Sequence, residues 1–298
     1  MPCASIVMLG PLPDALHSRF NGPYRLVPLN TTESLMSIEV AVTTSMTGAS
    51  AEQMAQLGAL RLILCNGAGL DRIDLEEAER RGIEVFNTAD AVTQDTADYA
   101  VTLMMAARRK VVEADRYVRD GQWGVRPWAP SRRLSTAKVG IVGLGKIGTA
   151  IAVRLTALGI RVAYHTPKHK PEVEHQYFGD LEELARWSDA LLVCCPANAA
   201  TYKMINAAVL HALGSSGTLI NVSRGAVVAE DDLIDALRNG VIEGAALDVF
   251  ENEPAIDARI IKAPNLILSP HAAAVTHETR QGMAMLLAER AHRYFAEQ

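Results

Sequence analysis

The sequence predicts an α/β protein made of two units, each a parallel sheet, and three observations carry that prediction. Short apolar runs alternate with helix-period segments across residues 6–86. A second alternation of the same kind begins at Val139 and runs to Leu268. At its head, Gly143-Leu144-Gly145-Lys146-Ile147-Gly148 stands between the apolar run Val139-Gly140-Ile141-Val142 and the helix-like Thr149-Ala150-Ile151-Ala152-Val153-Arg154-Leu155. Strands that alternate with helices pair in parallel, because each crossover helix returns the chain to the same end of the sheet. A length of 298 residues fits two domains at about 100–200 residues each.

In the first unit, Ile6-Val7-Met8-Leu9, Val40-Ala41-Val42, Leu62-Ile63-Leu64-Cys65 and Glu84-Val85-Phe86 read as short buried strands. Residues 51–57 and 75–81 read as helices, the second stopped by Gly82. Residues 93–119 then carry one long helical pattern containing Ala97, Ala100, Val101, Leu103, Met104, Met105, Ala106 and Ala107. It is apolar on most of its circumference, so it is expected to be buried between domains or between subunits. Arg108-Arg109-Lys110 near its far end read as cations completing a helix face. A polar stretch with Trp123, Pro127, Trp128 and Pro130 follows.

The second unit has strand patterns at 139–142, 161–164, 190–194, 218–221, 244–247 and 266–268. Helical patterns fall at 149–158, 180–187, 206–213, 230–239 and 254–262. Residues 276–296 read as a last helix that returns to the first unit. The predicted domains are 1–92 with 275–298, and 93–274. No internal repeat or low-complexity tract interrupts them.

The glycine turn gives the second unit its chemistry. At G-x-G-x-x-G spacing, Gly143 allows the tight turn, Gly145 lets the backbone approach a pyrophosphate, and Gly148 lets helix and strand pack closely. The helix start, with Lys146 and Ile147, offers N–H groups and a partial positive charge to phosphates. This is the opening of a Rossmann-like dinucleotide-binding unit. The next strand, Arg161-Val162-Ala163-Tyr164, should end on an acid that holds the ribose hydroxyls. Here it is followed by His165-Thr166-Pro167-Lys168-His169-Lys170, with no acid. A ribose 2′-phosphate is then not repelled, and His165, Thr166, Lys168 and Lys170 are candidates to receive it. NADP(H) is therefore expected over NAD(H), the other reading being a solvated basic loop. Cys195, Pro196 and Val222 stand at neighbouring strand ends and are counted with the cofactor-binding residues.

Composition excludes several classes. At 49% apolar and 21% charged residues, the chain is that of a soluble globular protein. A formal net charge of −5 argues against general nucleic-acid binding. Met1-Pro2-Cys3-Ala4-Ser5-Ile6 is not a secretory signal, and no apolar run approaches the length of a membrane span. Four cysteines are few, and the adjacent Cys194 and Cys195 should point to opposite faces of a strand. A disulfide framework is not expected, which places the protein in a reducing cytoplasm. His165 and His169 are four residues apart, but Pro167 breaks any helix between them and no third ligand joins them, so no metal is expected.

Three motifs stand at strand ends: Asn221-Val222-Ser223-Arg224-Gly225, Asp248-Val249-Phe250-Glu251-Asn252-Glu253-Pro254, and Ser269-Pro270-His271-Ala272-Ala273. In an open parallel sheet, ligands bind outside the carboxyl ends of the strands, so the three converge on one edge. Singly, Arg224 reads as a surface cation, Glu253 as a helix-start acid and His271 as a satisfied loop histidine. Together they supply a cation, an acid and an imidazole. Reduction of a 2-oxo acid by hydride needs a cation to hold the carboxylate and polarise the carbonyl. It also needs an imidazolium to protonate the developing alkoxide, and a carboxylate to orient and charge that imidazole.

These motifs resemble those of the D-isomer-specific 2-hydroxyacid dehydrogenases, over nearly the whole chain. The signal is strongest across residues 139–280. Arg224 and Glu253 are 29 residues apart, a spacing typical of that family. The resemblance implies two Rossmann-like domains with a cleft between them, the first being a flavodoxin-like substrate domain. It implies that Arg224 binds substrate and the cofactor side, that Glu253 pairs with His271, and that His271 is the acid/base and touches both substrate and cofactor. Asp248 matches the acid that receives the nicotinamide carboxamide. Asn66-Gly67-Ala68-Gly69 matches a loop whose backbone N–H groups take the substrate carboxylate, which agrees with the anion nest that a glycine-containing turn can form.

Within the family, the chain is most similar to the NADPH-using glyoxylate/hydroxypyruvate and hydroxyphenylpyruvate reductases, on Asp98, the basic loop after Tyr164, and Thr276-His277-Glu278-Thr279-Arg280. It departs from the pattern at Ala272-Ala273, where glycine is common. The implied enzyme reduces a small 2-oxo acid to a D-2-hydroxy acid with NADPH. Substrate size is set by the loops near Met46-Thr47-Gly48, by residues 66–70 and by Ala272-Ala273. Two other readings stay open: NAD-dependent oxidation of another acid (formate, phosphite or phosphoglycerate), and a non-catalytic dinucleotide-sensing protein. The long apolar helix also predicts a homodimer, since a two-fold pair is the simplest closed arrangement. Trp123 and Trp128 serve structural packing or reach a partner's pocket.

Overall fold

The computed structural model describes residues 4–298, so the reading of Met1, Pro2 and Cys3 lies outside the described residues. The chain forms two compact units, one running up to Thr93 and resuming at Ala274–Gln298, the other Gln94–Ala273.

The first unit begins with β1 (Ser5–Met8), α1 (Asp14–Phe20), β2 (Arg25–Pro28), β3 (Val40–Thr44) and α2 (Ala51–Ala55). It continues with β4 (Leu62–Asn66), α3 (Leu75–Arg80) and β5 (Glu84–Asn87). The strands are all parallel in the order β2-β1-β3-β4-β5, the flavodoxin-like arrangement. Both faces are covered, so the central strands are buried over all but their last residue rather than alternating with solvent. Val7, Ala41, Ile63 and Cys65 face Met54 and Leu57 on one side. Ile6, Val42, Leu62 and Leu64 face Leu16, Phe20 and Leu287 on the other. Leu287 comes from α11 (His277–Ala296), which Thr276 caps by accepting from the Thr279 N–H. The last helix thus returns to the first unit. α1 and β2 escaped the sequence reading because they are short and β2 buries a single residue, Val27.

The chain enters the second unit along α4 (Ala89–Arg109) and α5 (Val111–Arg119). There follow β6 (Lys138–Val142), α6 (Lys146–Ala157), β7 (Arg161–His165), β8 (Gln176–Tyr177), α7 (Leu181–Trp187) and β9 (Ala190–Val193). The last elements are α8 (Ala207–Leu213), β10 (Thr218–Asn221), α9 (Glu230–Arg238), β11 (Gly244–Leu247), α10 (Ala258–Ile261) and β12 (Leu266–Leu268). The parallel sheet runs β12-β11-β10-β9-β6-β7-β8. The order reverses between β6 and β9, which is where a Rossmann sheet opens its ligand crevice.

Two expected helices need correction. The pattern over 93–119 is two helices, because Lys110 takes a left-handed conformation (φ 54°) between α4 and α5. α4 is covered by its own sheet: Ala97, Ala100, Val101 and Met104 pack with Val139, Ile141, Leu192 and Ile220. α5 buries no residue. Arg108, read with Arg109 and Lys110 as completing a helix face, is buried. It is 5% exposed, and its guanidinium donates to the Asp189 carbonyl at 2.5 Å. The helix expected over 254–262 is the single turn of α10, because Asp257 caps it by accepting from the Arg259 N–H at 2.7 Å. Among the described residues, no helix is long and apolar enough to cross a membrane.

Candidate active site

The turn after β6 is shaped by what its glycines lack. A Cβ on Gly143, at φ 95°, would lie 2.7 Å from the Cys195 backbone across the crevice. One on Gly148 would lie 2.2 Å from the Gly143 carbonyl. One on Gly145 would meet nothing within 4 Å, so that backbone is open to a close-lying ligand. α6 starts immediately after it with no side-chain cap, which leaves its first N–H groups and its dipole for an anion. These residues fit a dinucleotide pyrophosphate. Lys146 is exposed and Ile147 half-buried on the first turn.

The loop after β7 is folded by hydrogen bonds to its own backbone, while Pro167, Lys168 and His169 stay exposed. The Tyr164 hydroxyl accepts from the Lys170 N–H at 3.0 Å and donates to the Lys170 carbonyl at 3.2 Å. The Thr166 hydroxyl donates to the Lys168 carbonyl, and the His165 ring meets the Phe178 carbonyl at 3.0 Å. Lys170 Nζ donates to the Leu144 carbonyl at 2.8 Å, which brings its charge to the glycine turn itself. Lys168 and Pro167 are exposed. His169 lies against the Tyr177 ring. Among the described residues, no three metal-ligating side chains converge.

Across the crevice, the end of β9 delivers Cys194, Cys195 and Pro196. Cys194 donates to the Gly143 carbonyl at 3.0 Å, and Cys195 backs the turn as above. Burial pushes both thiols up, Cys195 to about 11, so neither is a nucleophile at neutral pH. Pro196 is exposed beside them, and Val222, at the end of β10, is buried.

Three loops beyond β10, β11 and β12 carry the charged groups. Asn221 folds the first: its side-chain oxygen accepts from the Ser223 N–H and hydroxyl, and its amide donates to the Arg224 carbonyl. That presents Arg224 half-buried at the strand end, with its guanidinium donating to the Ser223 carbonyl. In the second loop, Glu253 Oε1 accepts from the Phe250 N–H at 2.9 Å, and Oε2 meets His271 Nδ1 at 2.8 Å. Glu253 is 14% exposed and His271 36%, so the carboxylate is shielded and the imidazole faces out. Burial pushes the Glu253 carboxyl up. The His271 and Phe250 hydrogen bonds, with the His271 and Arg224 charges, outweigh burial and hold it below the usual carboxylate range. The carboxylate therefore stays ionised, and Nδ1 is the proton-bearing nitrogen that faces it. Nε2 is left to exchange a proton with a ligand.

His271 sits at φ 54°, a left-handed conformation that needs outside support. Asp248 provides it. Its Oδ1 accepts from Ser269 Oγ at 2.6 Å and the Ala272 N–H at 2.8 Å; its Oδ2 accepts from the Ala273 N–H at 2.9 Å. The Asp248 carbonyl takes the His271 N–H. Ser269 Oγ is also 2.6 Å from the Tyr99 hydroxyl of α4. The Asp248 carboxylate is thus largely occupied in shaping the histidine turn, with room for one more donor at Oδ2. Tyr99 is a site residue the sequence reading did not assign, and 170 positions separate it from Ser269.

In the first unit, the loop after β4 holds Gly67 at φ 135°, where a Cβ would strike Ser45. The Gly67 N–H donates to Thr88 Oγ1 at 2.9 Å, and Asn87 donates to the Ala68 carbonyl. Among the described residues, the Ala68 and Gly69 N–H groups meet no acceptor and are open to an anion, while the Gly67 N–H is engaged by Thr88.

The family model for the D-isomer specific 2-hydroxyacid dehydrogenase NAD-binding domain matches residues 101–273. Glyoxylate/hydroxypyruvate reductase A of Arabidopsis thaliana is 38% identical over 99% of this chain and 97% of its own. The 2-ketogluconate reductase of Gluconobacter oxydans is 40% identical over 98% of this chain and 96% of its own. Among solved structures, the NADPH-dependent glyoxylate/hydroxypyruvate reductase of Sinorhizobium meliloti, in complex with NADP and malonate, superposes with a TM-score of 0.91. Its identity is 34%, over 98% of this chain and 94% of that one. With a glycine turn fitted to a dinucleotide and an arginine, a glutamate and a histidine at neighbouring strand ends, the chain belongs to the D-isomer specific 2-hydroxyacid dehydrogenase family, as an NAD(P)-dependent oxidoreductase of small 2-oxo or 2-hydroxy acids.

Proposed function

We propose that this protein is an NADPH-dependent reductase of small 2-oxo acids of the glyoxylate/hydroxypyruvate type, yielding D-2-hydroxy acids. The observation that carries the reading is the Glu253–His271 pair at 2.8 Å, on the loops beside the Arg224 turn. Gly143, Gly145, Lys146, Ile147 and Gly148 would hold the pyrophosphate, flanked by Cys195, Pro196 and Val222. A dinucleotide held there would supply the hydride that reduces the carbonyl carbon. Arg224 binds the substrate carboxylate and draws electron density toward the carbonyl oxygen. Protonated His271 gives the proton at Nε2 to the oxygen as it becomes an alkoxide. Glu253 fixes the ring by accepting from Nδ1 and offsets the imidazolium charge. Asp248 holds the turn that aims the ring and would receive the nicotinamide carboxamide. Ala68 and Gly69 form a second carboxylate-binding element in the first unit.

NADP(H) is preferred on three features of the loop after β7: no carboxylate, Lys170 held at the glycine turn, and exposed Lys168. Two charge-assisted contacts to a 2′-phosphate, at about 1.5–3 kcal/mol each before desolvation, are enough to set the preference. His165 and Thr166 shape this loop.

We also propose a homodimer. The chain exposes Val111, Val118, Trp123, Val125 and Trp128 on α5 and the segment after it. An apolar cluster of this kind on a helix with no buried residue is better covered than left in water, and a two-fold pair covers both copies at once. Light scattering should give twice the chain mass of 32.1 kDa. A monomer would contradict this.

The test of the reading is NADPH oxidation by the protein with glyoxylate, hydroxypyruvate, an aryl pyruvate and 2-ketogluconate, repeated with NADH. Turnover with at least one 2-oxo acid, and higher kcat/KM with NADPH, is expected. Turnover only with NAD and formate, phosphite or phosphoglycerate would replace it, and dinucleotide binding without turnover would make the protein a sensor.

A further inference from the structure

Glu230 is a buried carboxylate to which the mechanism above assigns no role. It is the first residue of α9 and 7% exposed. Its Oε1 accepts from the Glu251 N–H at 2.6 Å. Burial pushes its carboxyl up. The Glu251 N–H opposes that, while the Glu251, Asp257 and Asp231 carboxylates add to it. A group so costly to bury is kept where its hydrogen bond holds something in place.

What it holds is the peptide joining Phe250 to Glu251. The other side of that peptide lies on Gly225, where a Cβ would stand 1.8 Å from the Phe250 carbonyl carbon and 2.3 Å from the Glu251 nitrogen. Gly225 directly follows Arg224. The adjoining N–H, that of Phe250, is the one Glu253 accepts while its other oxygen meets His271. One peptide therefore touches the arginine turn on one side and, through the next N–H, sets the anchor of Glu253. Lys203 steadies the same segment by pairing with the Glu251 carboxylate at 2.9 Å.

We propose that Glu230 is a positioning residue for catalysis: by holding the Phe250–Glu251 peptide against Gly225, it registers the Glu253–His271 pair with Arg224. This rests on the reading of Glu253 and His271 given above. If Glu230 acts through Glu253, removing it must matter only while Glu253 is intact. A merely structural carboxylate would cost the same in either background.

The experiment is a double-mutant cycle on the full-length enzyme, with kcat and KM for the best 2-oxo acid, NADPH affinity and thermal midpoint as readouts. Glu230→Ala should lower kcat about tenfold, as misplacement by a fraction of an ångström does, with NADPH affinity unchanged. In a Glu253→Gln background the same substitution should lower kcat by less than about twofold. Glu230→Gln, whose amide oxygen still accepts the Glu251 N–H, should recover kcat to within about threefold of the unaltered enzyme. If Glu230→Ala does not fold, Glu230→Asp withdraws the acceptor while keeping the charge, and completes the cycle. The proposal is overturned if kcat stays within twofold, or if the loss is equal in both backgrounds. Full activity of Glu253→Gln alone would instead overturn the reading of the site.

Discussion

The turn after β6 and the loops after β10, β11 and β12 build one edge of the same sheet by opposite means. The turn works by absence. Gly143 and Gly148 leave out carbons that would strike Cys195 and the Gly143 carbonyl, and Gly145 leaves its backbone bare. The loops work by side chains bonded to one another: Asn221 folds the Arg224 turn, Asp248 the His271 turn, and Glu253 joins His271. Each part therefore fails in its own way. A turn built by absence is broken by adding an atom. A network is broken by removing one.

Removal comes first in expected size. Glu253→Gln leaves His271 with a partner that no longer offsets its charge, and kcat should fall about 10²-fold while NADPH affinity holds. Stopped-flow or steady-state rates beside a fluorescence titration separate the two. An equal loss of affinity would erase the contrast between turn and network.

Addition comes next. Gly148→Ala places a carbon 2.2 Å from the Gly143 carbonyl, a backbone atom that cannot swing aside. Overpacking of this sort costs about 1–3 kcal/mol, so dinucleotide affinity should fall by roughly five- to 150-fold, measured by titration. Unchanged affinity would mean that the turn tolerates what its geometry forbids.

The basic loop should give a smaller effect that falls mainly on one cofactor. Lys168→Ala with Lys170→Ala should weaken NADPH by about tenfold or more and leave NADH nearly unchanged. The Lys170 contact with the Leu144 carbonyl sharpens the prediction: losing Lys170 should also slightly loosen NADH.

The pH dependence of stability is the smallest effect, and the two buried glutamates should carry opposite signs. The lowered Glu253 pKa contributes stability present above the ordinary value of 4.5 and lost as pH falls through the folded value. The deficit of Glu253→Gln should therefore shrink in acid. The raised Glu230 pKa costs stability at pH above the folded value, and that cost vanishes as pH falls below 4.5. Glu230→Gln should gain relative to the unaltered protein at neutral pH and lose that advantage in acid. Thermal midpoints move by about 2–4 °C per kcal/mol for a unit of this size, so scanning calorimetry resolves both.

The same contrast explains what could be read from the sequence. The glycine turn is local: its strand, spacing and helix lie within residues 139–155, and each glycine names its own reason. Arg224, Glu253 and His271 were legible because each follows a strand in the same sheet, and parallel strands bring such ends together. The supports were not legible. Tyr99 reaches Ser269 across 170 positions, and Glu230 reaches the Glu251 N–H across 21. The break at Lys110 has no glycine or proline to mark it. Arg108 reads as completing a helix face, and nothing near it in sequence shows that its guanidinium meets the Asp189 carbonyl just before β9. The loop after Tyr164 reads as basic, but its fold depends on a tyrosine hydroxyl closing back on Lys170.

Everything proposed for the site passes through the His271 imidazole. The decisive measurement is the single-turnover rate of NADPH oxidation by His271→Ala, preloaded with NADPH and mixed with a saturating 2-oxo acid. Dinucleotide binding is expected to be unchanged and the rate lower by about 10²–10⁴, the usual cost of losing a positioned proton donor. A rate within a few-fold of the unaltered enzyme would contradict it.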